Sequence, residues 1–291
     1  MSEMKDGFVE INGLKIYYRL YGDGDVKLIG LHGGPGGSLD YLEPLADLSE
    51  RGVQVLLYDQ FGCGRSSDPP DESYYTIDYG VEEVEGVRKA FFGDRKVFLL
   101  GHSYGGALAI AYALKYQRNL KGLIISSGLS SVPLTVREME RLIRELPEQY
   151  RRAIQEHGER GEYDHPDYLR ATEEFYRRHL LRMDEMPEPV KRTLDYTKER
   201  RTYSIMNGPN EFTITGTIRD WDVTHRLGEI GVPTLITVGK YDEVTPAVAE
   251  VIHSGIRGSQ MVIFQETSHM ALWEERKKFI DAVYNVILSI R

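Results

Sequence analysis

Val97-Phe98-Leu99-Leu100-Gly101-His102-Ser103-Tyr104-Gly105-Gly106-Ala107 is the stretch that decides the fold. A short apolar run of strand texture stops at Leu100, and the small residues Gly105, Gly106, Ala107 and Ala109 open the helical stretch that follows. Between them, Gly101-x-Ser103-x-Gly105 sets a serine on the bend. A serine so placed sits on a sharp strand-to-helix turn that projects its oxygen, and neighbours without bulky side chains let strand and helix approach. The pattern alone arises by chance in many chains. At a strand-to-helix junction it marks a nucleophile.

Outward from this bend, Val26 to Leu31, Val53 to Tyr58 and Leu123 to Ile125 are further continuous apolar runs, the texture of strands buried on both faces. Helical stretches from Ile77 to Phe92 and from Tyr104 to Tyr116 alternate with them, the order of an α/β sandwich. The alternation resumes late, with a strand over Thr234 to Val238, a helix over Ala247 to Ile256, a strand over Met261 to Phe264 and a closing helix from Ala271 to Leu288. At the other end, Phe8 to Ile11 and Leu14 to Leu20 flank Asn12-Gly13, a strong hairpin signal. Ser131 to Arg200 lacks strand-like runs and is roughly 40% charged against about 25% in an average protein. Pro147, Pro166, Pro187 and Pro189 cut it into short helices, because proline lacks the donor and clashes within a helix. The expected architecture is an α/β-hydrolase fold, a mostly parallel sheet flanked by helices, formed by residues 1–130 and 216–291 with an all-helical cap over 131–215.

A serine hydroxyl is a poor nucleophile until a base takes its proton, so an imidazole oriented by a carboxylate must lie near. In this fold the chain order is serine, acid, histidine. His157, His165 and His179 fall in the cap, and His253 sits inside a helical stretch. His269, in Gln265-Glu266-Thr267-Ser268-His269 after a late strand, is the candidate base. Asp242, just beyond the strand Thr234 to Val238, is the candidate acid, preferred to Glu243 because adjacent side chains at a strand end point apart and only one should meet the imidazole. Charge developing on a carbonyl oxygen needs fixed donors. The N–H of Tyr104, the residue after the nucleophile, supplies one, and Gly34 in His32-Gly33-Gly34-Pro35-Gly36-Gly37 supplies the other. His32 and His102 are read as structural.

At 291 residues the chain can bury a substantial core, and a net charge of -9 argues against a nucleic-acid partner, which needs a basic surface. Met1 to Glu10, with Glu3, Lys5, Asp6 and Glu10, lacks the apolar stretch of a secretory signal, and no apolar run approaches a membrane span. Cys63, the only cysteine, cannot form an intrachain disulfide and reads as a turn filler among glycines. A cytoplasmic protein is expected. There is no His-Glu-x-x-His zinc pattern and no Gly-Lys-Ser or Gly-Lys-Thr nucleotide loop, so no metal or other cofactor is expected.

Over essentially its whole length the chain resembles the proline iminopeptidases. The resemblance rests on His32 to Gly37, Asp59-Gln60-Phe61-Gly62-Cys63-Gly64-Arg65-Ser66, the serine bend, Asn207-Gly208-Pro209-Asn210-Glu211-Phe212, and Tyr241-Asp242-Glu243. The bend is shared by many hydrolases; the other four together are specific. His102 and Tyr104 flank the serine where many bacterial members have Gly-Gly-Ser-Trp-Gly. The resemblance implies release of amino-terminal proline and other apolar residues from short peptides through an acyl-enzyme. It also implies that Glu211 and Glu243 bind the peptide ammonium, a group that is largely cationic at neutral pH because its pKa lies near 8. The archaeal members cooperate with the tricorn protease, so a larger protease of that type is an implied partner. An esterase or amidase on the same fold, and an inactive hydrolase serving as a binding module, are the alternatives. The charged cap and the paired acids speak against a lipid substrate, and no triad member is missing.

Overall fold

The computed structural model describes residues 4–290; Met1 to Glu3 and Arg291, and with them the Glu3 of the amino-terminal reading, lie outside the described residues. Asn12 (φ 51°) and Gly13 (φ 81°) both take the left-handed conformation that a two-residue hairpin turn requires. They join β1 (Met4–Ile11) to β2 (Leu14–Tyr21), antiparallel along their full length. The buried runs become β3 (Val26–Leu31), β4 (Val53–Tyr58), β5 (Val97–His102), β6 (Leu120–Ser126), β7 (Thr234–Gly239) and β8 (Gln260–Phe264). The sheet order is β1-β2-β4-β3-β5-β6-β7-β8, with every pair from β4 onward parallel.

Successive strand residues point to opposite faces, and the core divides accordingly. Leu99, Ile236 and Val238 pack on one side with α1 (Ile77–Phe92) and α2 (Tyr104–Tyr116), while Phe98, Leu100 and Leu235 pack on the other. That second side is covered by a helical segment, Leu39–Arg51, wound in tighter 3-10 turns, and by the last helix. The Leu39–Arg51 segment was not expected from the sequence pattern: Pro44 lies inside it, where proline normally interrupts an α-helix.

Between β6 and β7 the chain forms α3 (Val132–Arg144), α4 (Glu148–Glu159), α5 (Pro166–His179), α6 (Glu188–Glu199) and α7 (Thr202–Met206). Pro166 and Pro189 stand in first turns, where the missing N–H breaks no helical bond, and Pro147 and Pro187 stand just before helices. After β7 come α8 (Pro246–Gly255), and after β8 α9 (Ala271–Glu274) and α10 (Arg276–Ile290). The single closing helix expected over Ala271 to Leu288 is thus two. Glu275 leaves the helical conformation (φ -131°, ψ 49°), and the Glu274 carboxylate turns back to accept from Ser268 N–H (2.8 Å). Among the described residues, no helix is long and apolar enough to cross a membrane.

Asp40 ties these inserted helices to the sheet. Its carboxylate has no solvent exposure and meets Arg19 (3.2 Å), Arg65 (2.8 Å) and, from α6, Arg192 (3.1 Å). Burial alone would raise its pKa, but bonds from Arg65 and Ser38 and the arginine charges outweigh it and hold the carboxyl below its usual range. A carboxylate depressed in the native state contributes stability that is present above its unfolded pKa and lost as pH falls through the native value. Asp40→Asn is therefore expected to lower unfolding free energy at pH 7 by about 3 kcal/mol, the low end for breaking a buried pair because the arginines can reach water. The deficit should shrink below about pH 4 as the wild-type group protonates. Denaturant unfolding at both pH values checks this, and a deficit that is equal at both would contradict it.

Candidate active site

Ser103 joins β5 to α2 at φ 58° and ψ -126°, a conformation costly to any residue with a Cβ. Two flanking glycines permit it. A Cβ on Gly101 would lie 1.9 Å from Gly105 O, and one on Gly105 2.2 Å from Leu31 O, so no other residue fits either place. The bend lies beside β3, the strand from which the chain turns first to β4 and later to β5, the switch point where open α/β sheets bind ligands. Residues 33–37 follow β3 there. Ser103 and Gly34 are partly open to the cavity while their neighbours are buried.

His269 and Asp242 stand on loops after β8 and β7, and His269 Nδ1 is 2.7 Å from Asp242 Oδ1. The Asp242 oxygen also accepts from Val244 N–H (2.8 Å), which fixes the carboxylate. Ser103 and His269 line the same cavity. The backbone carbonyl of His179, at the end of α5, accepts from both Glu243 N–H (3.2 Å) and His269 N–H (3.1 Å). One carbonyl from the inserted helices thereby sets the spacing of the two loops.

Glu243 corrects one expectation from the sequence. Asp242 and Glu243 do point apart, yet both reach the imidazole, from opposite sides: Glu243 Oε1 lies 3.8 Å from His269 Nε2. The ring therefore has one of these two neighbours at each nitrogen. Burial pulls the His269 pKa down, but the charge and hydrogen bond of Asp242 and the charges of Glu243 and Glu211 override this and push it up to about 9. Burial raises Glu211, and it raises Glu243 well above the usual carboxylate range; the His269 charge draws both back toward the ionised form, while Glu211 and Asp242 push Glu243 further up.

Glu211 is held by the stretch Asn207 to Phe212, a tight turn. Asn207 Nδ2 donates to Asn210 O (2.9 Å), Asn210 Nδ2 to Tyr168 Oη (2.6 Å), and Phe212 packs on Phe175 at 5.1 Å between ring centroids. The carboxylate accepts from Tyr203 Oη (2.7 Å) and shares the cavity with Ser103, Glu243 and His269.

Residues outside the expected set complete the site. Gly33 N–H donates to Tyr41 Oη (2.6 Å), Tyr41 lies 2.9 Å from His102 Nδ1, and His102 Nε2 lies 2.8 Å from the His269 carbonyl. With the carbonyl as acceptor, Nε2 carries the proton and Nδ1 accepts from Tyr41. Burial, then the nearby His269 charge, lower His102 to about 3, so it stays neutral. The chain Gly33–Tyr41–His102–His269 links the glycine loop to the His269 backbone. Its only sequence signal was a histidine next to the serine. His32 is a prop, bonded to Gln60 N–H (3.0 Å) and Gly33 O (2.9 Å). Cys63 is buried 3.3 Å from Phe61 O, and burial raises its thiol pKa, as suits a filler rather than a nucleophile. Tyr203 and Tyr176, whose hydroxyl accepts from Glu211 N–H (3.4 Å), line up behind Glu211 and carried no sequence pattern.

A strained serine bend at the switch point of a mostly parallel sheet defines the α/β-hydrolase class, and residues 28–276 match the family model described as alpha/beta hydrolase fold. Across 97% of its length the chain is 62% identical to a proline iminopeptidase of Saccharolobus solfataricus, covering 94% of that protein. It is 60% identical to a proline iminopeptidase of Thermoplasma volcanium over 96% of this chain and 95% of that one. The solved structure of a Mycobacterium smegmatis proline iminopeptidase superposes with a TM-score of 0.93 at 32% identity, covering 98% of both chains. That of VinJ superposes with 0.95 at 31% identity, covering 99% of both. The chain belongs to the proline iminopeptidase family.

Proposed function

We propose that Ser103, His269 and Asp242 act as nucleophile, base and orienting acid in this enzyme, a serine exopeptidase of the prolyl aminopeptidase type. The observation that carries the assignment is the 2.7 Å pairing of His269 with Asp242 in a cavity that also holds Ser103 and the acidic residues Glu211 and Glu243. Two clefts meet at Ser103. One, between α2 and the inserted helices, is lined by Ile77, Leu129, Val132, Met139 and Ile218 and suits a small apolar amino-terminal side chain. The other is walled by Leu180, Leu181, Met186, Val190 and Leu194 and leaves room for the rest of a short peptide. Glu211 and Glu243 border both.

In the proposed reaction the peptide ammonium sits between the two glutamates, which places the first carbonyl carbon at Ser103. The hydroxyl oxygen attacks that carbon, and its proton passes to His269 Nε2. The Tyr104 N–H, the first of α2 and without a carbonyl a turn earlier, and the Gly34 N–H stabilise the negative oxygen. Gly33 N–H is already engaged by Tyr41 and Gly37 N–H by Gly33 O (3.2 Å), which favours Gly34 as the donor of its loop. As the C–N bond breaks, His269 gives its proton to the leaving amine. Water then hydrolyses the acyl-serine by the same steps in reverse.

Glu211→Gln tests the recognition step: kcat/KM for a free-amine anilide is expected to fall by the equivalent of about 2 to 5 kcal/mol, as for one partner of a buried charge pair. Equal kcat/KM in variant and wild type would remove Glu211 from recognition. A panel of aminoacyl anilides, with and without a blocked amine, set against short acyl esters tests the reaction class; faster turnover of the esters would favour an esterase. The proposal also takes the cytoplasm as the place of work, supported by the single buried cysteine. A larger tricorn-type protease as the source of peptides rests on the sequence resemblance and is tested by co-sedimentation.

A further inference from the structure

His269 Nε2 is the atom that must receive the serine proton, and a carboxylate is lodged against it. Glu243 Oε1 lies 3.8 Å away, and the two side chains are 1% and 3% exposed. The other Glu243 oxygen, Oε2, is buried without a hydrogen-bond partner from the protein. Asp242 occupies Nδ1 from the same loop, and Glu211 faces the cavity from the turn after α7. On the β5 side, His102 lies 4.7 Å from His269 between ring centroids and is held neutral by burial and by the nearby His269 charge. The remaining titratable groups are the hydroxyls of Tyr41, Tyr104 and Tyr203 in the cleft walls and of Tyr176 behind Glu211, all of which burial holds in the protonated form. No lysine or arginine lines either cleft. Three carboxylates therefore converge where, among the described residues lining the clefts, His269 is the one group left able to become a cation.

Such a site has a consequence for catalysis. An imidazolium satisfies the carboxylates, and its rise to about 9 expresses that balance, yet a ring already protonated at Nε2 cannot accept the serine proton. We propose that the substrate's ammonium switches the base on: seated between Glu211 and Glu243, it replaces the imidazolium as their counter-charge, and His269 releases its Nε2 proton to solvent before Ser103 attacks. The only bond broken in this step is His269 Nε2–H, whose electron pair stays on the ring nitrogen. One proton leaves for the buffer and the ammonium keeps its own. The amine belongs to the half of the peptide that acylates Ser103, so it stays in place through deacylation, and the base stays active until the free amino acid departs. A blocked peptide or a simple ester that enters the cavity meets a protonated base. Selection for a free amino terminus then operates on the chemical step as well as on binding, with Glu243 as the residue that couples the two.

The switch rests on the reading of Glu211 and Glu243 as the ammonium site, and one experiment separates the two. Ser103→Ala protein labelled with 13Cε1-histidine is titrated by NMR, with and without saturating prolinamide, which this variant does not consume. The His269 signal is assigned by its loss in Ser103→Ala/His269→Gln. The expected result is a midpoint near 9 without ligand that falls by about 1 to 3 units with prolinamide, the range a nearby charge produces. Adding Glu243→Gln should lower the unliganded midpoint and shrink the further drop. Saturable prolinamide binding with an unmoved His269 midpoint, or a midpoint that stays near 9 in Glu243→Gln, overturns the switch and leaves the ammonium site standing. No binding of prolinamide at all overturns both.

Discussion

Alanine at position 103 is expected to lower kcat by about a millionfold, the loss seen when a nucleophile is removed from such a triad, with the native fold retained. Without the hydroxyl oxygen there is no acyl-enzyme, and only binding and the oxyanion donors are left to favour hydrolysis by water. The fold should survive because the strain at residue 103 comes from its φ of 58°, which alanine adopts at the same cost as serine. Nor does the serine side chain cap α2. Turnover of a proline anilide and denaturant unfolding measure the two halves of the prediction. Residual activity above about 3% of wild type in clean protein would remove Ser103 from the mechanism, since triad losses are orders of magnitude larger. A fluorophosphonate probe should label wild type and not the variant.

Asp242→Asn carries the next largest effect, a fall in kcat of about 10⁴-fold with little change in KM. Asp242 Oδ1 accepts from His269 Nδ1, which leaves Nε2 as the nitrogen that, in the proposed mechanism, exchanges a proton with Ser103. An asparagine can turn its amide N–H toward Nδ1 and select the opposite tautomer, with Nε2 protonated and useless as a base. The variant also removes the charge that, after burial, does most to set the His269 pKa. Steady-state kinetics across pH 6 to 9 check this; a kcat within tenfold of wild type would assign the orienting role elsewhere.

Much of the scaffold could be read from residue patterns because the responsible forces are local. Val26–Leu31 and Val53–Tyr58 match their strands end to end, since a continuous apolar run bounded by polar turns has few other ways to bury itself. Ile77–Phe92 and Tyr104–Tyr116 match their helices for the same kind of reason, and Thr76 caps the first of them through Tyr79 N–H. The Leu39–Arg51 segment escaped because a proline inside it contradicts the rule for regular helices. The break at Glu275 carried no signal in the apolar pattern; beside it the Glu274 carboxylate accepts from Ser268 N–H, across a loop and a helix that periodicity treats separately.

The site divides along the same line. Ser103 was legible because two glycines at fixed spacing are a steric necessity of the bend, as the 1.9 Å and 2.2 Å clashes at Gly101 and Gly105 show. Asp242 and His269 were legible as candidates because chain order in this fold restricts where an acid and a base can stand. The path from Gly33 through Tyr41 and His102 to the His269 carbonyl runs through bonds that span up to 167 positions, and its one signal in the sequence was the histidine beside Ser103. The position of Glu243 against Nε2 likewise belongs to the tertiary structure. Sequence alone determined which elements form and which residue types stand at their ends, since periodicity, turn sterics and capping act over a few residues. Tertiary structure decided which charges face one another, because that depends on strand order and on where the inserted helices descend, and a shift of a few ångströms inside a buried cavity changes whether an imidazole is a base or a cation.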